Sequence, residues 1–224
     1  MFLQNKYTNC YYSIINRAQS RVLSSLTYTE NHHIIPRSLG GDNSKTNLVR
    51  LTAREHFVCH LLLVKMLTGK ENLRIIGGMY GVEGKILNDR VDELLERFGL
   101  ENSADRPLSQ YSGGMKRRIN LLAGLLHTPK ILILDEPTVG VDAQSRNLIL
   151  EELIRINREG TTVLFISHYL EEAECICDTV GLIDGGKIVL EGNPAELGKS
   201  NPECKNLEAL YFKLTGKQMR DTYE

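Results

Sequence analysis

ILILDEPTVGVDAQSRNLILEELIRINREGTTVLFISH, residues 131–168, decides the fold class. It opens on four apolar residues, 131–134, cut off by Asp135-Glu136-Pro137, and a run so short and so bounded reads as a buried strand. A helical pattern follows over 142–158, then a second apolar strand over 162–166. Strand, helix and strand in succession predict an α/β fold with a mostly parallel sheet.

Working outward, helical patterns precede this unit at 72–80, 86–98 and 113–126. Beyond it come a helix at 170–177, strands at 179–183 and 187–191 around the turn Asp184-Gly185-Gly186, and a last helix at 207–215. Toward the N-terminus the texture changes. Tyr12, Ile15, Ala18 and Val22 recur at helical spacing and predict a helix over 11–26, with Arg17 and Arg21 on its polar face. Strands at 33–35 and 48–51 flank a loop containing Pro36, Gly40, Gly41, Asp42 and Asn43. Thr52 with Glu55 three residues on forms a capping box for a helix through His56, Cys59, His60, Leu63 and Met66. There are neither internal repeats nor low-complexity tracts.

Charge divides the chain where the texture does. The net charge is -1, but residues 1–66 hold eight Lys/Arg against three Asp/Glu, leaving 19 against 25 for the rest. Two modules with different partners are expected. The longest apolar runs, 61–64 and 131–134, fall far short of the ~20 residues of a membrane span. With no basic head and apolar stretch at the start, a cytoplasmic chain is expected. Cys10, Cys59, Cys175, Cys177 and Cys204 are odd in number and form no CxxC pair, which points to reduced, mostly structural thiols.

Four of six histidines fall in the basic piece. His56 and His60 are four apart on one helix, so their rings share a face and can share a metal. His32 on the first strand would add a third imidazole, leaving a position open for water or phosphate, as in a catalytic site. Alternation turns His33 away from the metal and leaves it free as a base, a role suited to its ordinary pKa near 6.5.

The run Glu30-Asn31-His32-His33-Ile34-Ile35-Pro36-Arg37-Ser38-Leu39-Gly40-Gly41, then Asn47-Leu48-Val49, Ala53-Arg54-Glu55-His56 and His60, resembles HNH homing endonucleases of the phage type, over residues 5–66. The resemblance implies a small ββα-metal domain that binds DNA and one divalent ion, Mg, Mn or Zn. His33 would be the general base, Asn47 the residue holding the hairpin, and His32, His56 and His60 the ligands. Arg37, Arg50 and Arg54 are the expected phosphate contacts.

From Leu67 a different resemblance holds. Tyr111-Ser112-Gly113-Gly114-Met115 opens a helix whose N-terminus favours an anion. Strand 131–134 carries Asp135 and Glu136 to the edge where ligands bind in such sheets, and His168 ends the next strand. Leu108-Ser109-Gln110-Tyr111-Ser112-Gly113-Gly114-Met115, Ile131-Leu132-Ile133-Leu134-Asp135-Glu136-Pro137-Thr138, Gly140-Val141-Asp142 and Ser167-His168 resemble the signature, Walker B, D-loop and switch histidine of ABC transporter ATP-binding subunits of the multidrug-exporter type, over 67–215. That implies a truncated P-loop-NTPase-like domain, a helical subdomain plus part of a parallel sheet. Ser112, Gly113, Gly114 and Asp142 would touch nucleotide, Asp135 would hold Mg²⁺, and Glu136 and His168 would be catalytic.

No G-x-x-x-x-G-K-[ST] run is present to grip the β/γ-phosphates. Gly192 to Ser200 comes nearest, but its spacer is five residues rather than four. Mg-ATP would then be used only if an ABC subunit with an intact Walker A supplied that loop, and a membrane permease would be reached through the same partner. Three readings follow: a metal-dependent DNA endonuclease joined to an incomplete ABC domain; an ABC fragment lending its signature to a partner; and a joined product without selected function, the lineages meeting at Leu67-Thr68-Gly69-Lys70. Residues 216–224 are expected to be a tail.

Overall fold

The structure, a computed structural model, describes residues 2–22, 24 and 26–216. By packing it divides into two compact units, Met1–Pro129 with Gly140–Arg146, and Lys130–Val139 with Asn147–Glu224. The boundary expected at Met66 lies inside the first unit. The expected tail lies, past Gly216, outside the described residues.

In the first unit α1 (Lys6–Ser20) starts where the Asn5 side chain accepts from the amides of Tyr7 and Thr8. Tyr11, Ile15 and Ala18 form its buried stripe. The helix expected to reach residue 26 stops at Ser20. Arg21 is extended, with φ -93° and ψ 152°, and its guanidinium grips Glu55, while Val22 is 99% exposed and offers nothing to a further turn.

Strands β1 (Glu30–His33) and β2 (Leu48–Leu51) pair antiparallel, with His32 opposite Val49 and His33 opposite Leu48. The first strand thus lies upstream of the expected 33–35. Ile34 and Ile35 leave it because the Asn47 side chain takes both the N–H and the carbonyl of Ile35. Helix α2 (Ala53–Met66) begins with the expected Thr52–Glu55 capping box. Tyr11, Ile15, Val49, Leu51, Cys59, Leu63, Met66 and Leu67 form one core. At about 1.5–3 kcal/mol for each large apolar side chain, this burial holds hairpin and helices together.

A second capping box, Thr68 with Glu71, opens α3 (Gly69–Met79) immediately. The Asn72 amide inside it donates to the Thr68 and Val64 carbonyls, tying α3 to the end of α2. Helices α4 (Gly84–Arg97) and α5 (Gly113–Leu125) pack with α3 and bury Leu73, Leu87, Val91, Leu95, Ile119 and Leu122.

The second unit contains the parallel pair β3 (Ile131–Asp135) and β4 (Thr162–Ile166), Ile131 opposite Thr162 and Asp135 opposite Ile166. Helix α6 (Ala143–Arg158) connects them. After α7 (Leu170–Ile176), β5 (Val180–Asp184) and β6 (Lys187–Gly192) form an antiparallel hairpin whose turn uses positive φ at Gly185 and Gly186. Helix α9 (Leu207–Thr215) closes the described chain. Before it lies a helix that the reading missed, α8 (Pro194–Ser200), with Asn193 as N-cap and Pro194 in its first turn.

The expected mostly parallel sheet is corrected: among the described residues only β3 and β4 pair in parallel. A groove of about 800 Å³, lined by residues 162–168 and 178–184, separates β4 from β5. On one face of the ladder Ile131, Ile133, Leu164 and Ile166 are all exposed. The cysteines carry no disulfide, yet only Cys59 is buried while Cys10 and Cys175 are exposed, so their role in packing is smaller than expected.

Candidate functional site

The hairpin and α2 bring His32, His56 and His60 together. One ring nitrogen of each lies within 4.8 Å of the others, and His56 Nε2 is 3.0 Å from His60 Nε2. Nitrogens on a tetrahedral metal at ~2.0–2.1 Å stand ~3.3 Å apart, so the spacing suits one small divalent ion. Burial, then the neighbouring imidazoles of His60, His56 and His33, push the His32 pKa down to about 3. Burial and His56 lower that of His60 as well. Neutral imidazoles offer the lone pairs that a metal requires. Glu30 accepts from His56 Nδ1 and is held by the Tyr28 hydroxyl at 2.9 Å; the His56 contact is the chief reason its own pKa is lowered. With Nδ1 occupied, His56 presents Nε2 to the cluster.

Alternation puts His33 on the other side of β1, where its Nε2 meets Asn43 Oδ1 at 2.8 Å. Asn47 braces the loop below: its Oδ1 accepts from the Ile35 amide at 2.8 Å, and its Nδ2 donates to the carbonyls of Ile35 at 3.0 Å and Asp42 at 2.8 Å. The expected phosphate contacts are exposed but differ in setting. Arg37 stands 3.7 Å from Glu83, and Arg50 Nε donates to Thr29 Oγ1 at 2.9 Å. Arg54 lies on the first turn of α2.

Elsewhere in the first unit Ser112 caps α5, its hydroxyl accepting from the Met115 amide at 3.2 Å. Gly114 packs so closely that a Cβ there would stand 2.6 Å from Ser145 Oγ and 3.0 Å from Asp142 Oδ2. Asp142 in turn accepts from the Ser145 amide at 2.9 Å and hydroxyl at 2.8 Å, contacts that keep it ionised by lowering its pKa. Ser112, Gly113, Gly114 and Asp142 therefore form one corner.

The second unit holds the other three residues. Asp135 ends β3, exposed. Glu136 follows in the left-handed region at φ +47°, a strained backbone for a residue with a side chain, while its amide donates to the Ile166 carbonyl at 2.9 Å. Its carboxylate lies 2.8 Å from His168 Nδ1. Sequence reasoning missed a buried contact in the same unit, the Thr138 hydroxyl donating to Glu172 Oε2 at 2.7 Å. Tyr11, Glu30 and Asn43 were also missed as site residues. Helical spacing marks Tyr11 only as core, and no spacing rule assigns a carboxylate to a particular histidine.

Comparison with known proteins finds relatives among ABC transporter ATP-binding proteins. The profile of the family described as ABC transporter matches residues 16–139, a span that does not stop at Met66. The linearmycin resistance ATP-binding protein LnrL of Bacillus subtilis (strain 168) is 47% identical over 137 residues, covering 61% of this chain and 44% of that protein. The Nod factor export ATP-binding protein I of Cupriavidus metallidurans is 41% identical over 152 residues, 68% of this chain and 50% of its own length. For the daunorubicin/doxorubicin resistance ATP-binding protein DrrA of Streptomyces peucetius the identity is 42%, over 60% of this chain and 41% of that one. The chain thus spans half or less of these relatives. A solved structure of an ATP binding subunit of an ABC transporter superposes with a TM-score of 0.60 at 28% identity, covering 67% of this chain and 63% of that one.

Proposed function

Since the chain belongs to the ABC transporter family, we propose that it is an ATP-binding subunit that lends its Ser112 corner to a nucleotide site completed by a partner. The observation that carries this reading is the convergence of Ser112, Gly114 and Asp142 at the N-terminus of α5, where helical N–H groups favour phosphate. No G-x-x-x-x-G-K-[ST] run occurs in these 224 residues, so the partner brings the cationic cradle, and through it a membrane permease on the cytoplasmic side. Among the described residues no helix is long and apolar enough to cross a membrane itself. Asp135 would hold Mg²⁺, and Glu136 with His168 would orient water. The chain alone should hydrolyse no ATP above background. Activity that appears on mixing with an intact ABC subunit and disappears with Ser112→Arg supports the reading. Hydrolysis by the chain alone that Glu136→Gln abolishes refutes it.

A second reading is carried by the histidine cluster, which suits metal-dependent cleavage of DNA. His32, His56 and His60 would hold the ion, which when bound supplies Lewis-acid stabilisation of charge on the phosphate and leaving oxygen. His33 takes a proton from the attacking water at Nδ1, its Nε2–H being held by Asn43 Oδ1, and Asn47 keeps the loop that carries Asn43 in place. Plasmid nicking by the full chain with Mg²⁺, Mn²⁺ or Zn²⁺ tests this: His33→Ala should abolish cutting and leave metal uptake intact, whereas His60→Ala should weaken uptake. Undiminished nicking by His33→Ala removes His33 from the chemistry.

A further inference from the structure

We propose that Tyr11 is a positioning residue of the histidine centre, its hydroxyl selecting which nitrogen of His32 is offered to a divalent ion. This rests on the metal reading of that cluster. Tyr11 Oη lies 2.8 Å from the Ile34 carbonyl oxygen and 2.9 Å from His32 Nε2. A carbonyl can only accept, so the single phenolic proton points to Ile34. The contact with Nε2 is then attractive only if that nitrogen is the donor and the phenol oxygen the acceptor. An imidazole that binds a metal is neutral and has one ring proton, and Tyr11 fixes that of the buried His32 on Nε2. The lone pair is left on Nδ1.

At His56 the choice is the reverse. Glu30 takes the Nδ1 side, so Nε2 faces His60. Two neighbouring ligands are thus set in opposite tautomers, one by a carboxylate of β1 and the other by a phenol of α1. The phenol is held for this task. Tyr11 is fully buried in the core that Ile15 shares with the hairpin, and its ring meets Phe2 and Tyr12 edge-on at centroid distances of 6.1 and 5.4 Å. Without the hydroxyl, an Nε2–H at this place would be buried with no acceptor, which favours moving the proton to Nδ1 and closing the lone pair held there.

The experiment uses the full chain, labelled with ¹⁵N at histidine. Long-range ¹H–¹⁵N correlation spectra without metal should show the His32 proton on Nε2 in wild type, and a shift toward Nδ1 in Tyr11→Phe, a change that keeps the ring and its packing. Buffered Zn²⁺ titration should show uptake weakened about 10- to 100-fold in Tyr11→Phe. In a His32→Ala background the same change should add no further loss. A tyrosine that only filled the core would weaken uptake equally in both backgrounds, which overturns the proposal, as does a wild-type His32 proton on Nδ1. If wild type binds Zn²⁺ but Tyr11→Phe stays within twofold, the Tyr11 assignment alone falls. If wild type takes up no Zn²⁺, the metal reading falls and the role of Tyr11 with it.

Discussion

Neutralising Glu55 should destabilise the chain at neutral pH and leave it unharmed in strong acid. Its carboxylate gathers donors from both ends of the hairpin module. Arg21 Nη1 and Nη2 donate to Oε1 at 2.6 Å and Oε2 at 2.5 Å, Arg17 stands 3.5 Å from Oε1, and the Thr52 amide and hydroxyl donate to Oε2 at 3.1 and 2.9 Å. Arg21 chiefly, then Thr52, pull the carboxyl pKa from 4.5 down to about 2. At ~1.4 kcal/mol per pH unit that shift is worth about 3 kcal/mol. Arg21 remains partly in water, so solvent screening reduces the figure to about 1–2 kcal/mol. Because the folded pKa is the lower one, this stabilisation is complete above pH ~4.5 and disappears as pH falls through about 2. Glu55→Gln should therefore lower the unfolding free energy by that amount at pH 7, read as a lower urea midpoint with unchanged slope, and the gap to wild type should close between pH 4.5 and 2. Equal gaps at pH 7 and pH 2, or none at pH 7, would show that the Glu55 carboxylate gains nothing from Arg21 and Thr52 on folding.

Removing the brace in the histidine loop has a larger effect. Asn47→Ala deletes three hydrogen bonds at about 1 kcal/mol each and should cost about 3 kcal/mol in thermal or urea unfolding. In Gly41→Ala the new Cβ would sit 1.8 Å from the Ile35 carbonyl oxygen, so the loop must move, and the His33 ring resonances should shift with it. At α5, Ser112→Ala should cost about 1 kcal/mol and speed amide exchange at Met115, while Ser112→Asp should preserve the cap.

Much of this architecture is legible because the signals are local. Residues 162–166 and 207–215 adopt the expected strand and helix at the expected limits, one an apolar run bounded by Gly160 and Ser167, the other capped by Asn206. The convergence of His32 with His56 and His60 follows from two periodicities, four residues along a helix and two along a strand, joined by one turn. What escaped reading depends on partners distant in sequence. Nothing near Ser20 says that Arg21 will leave the helix for Glu55, 34 residues away. The slip of β1 was hidden likewise, since it depends on an Asn47 amide claiming the Ile35 backbone. Strand count failed for a third reason: apolar runs mark strands but not their neighbours, and 180–184 has the same texture whether it joins β4 or only folds back on β6.

The uncovered face of β3 and β4 also governs how the chain fares in a crowded solution. Ile131, Ile133, Leu164 and Ile166 lie side by side in the open, on a ladder of two strands. Apolar strands with open edges are templates on which other chains collect. Concentration therefore becomes a variable of its own: light scattering should find dilute preparations dispersed and concentrated ones clumped, and in a cell those four side chains should draw chaperones and proteases.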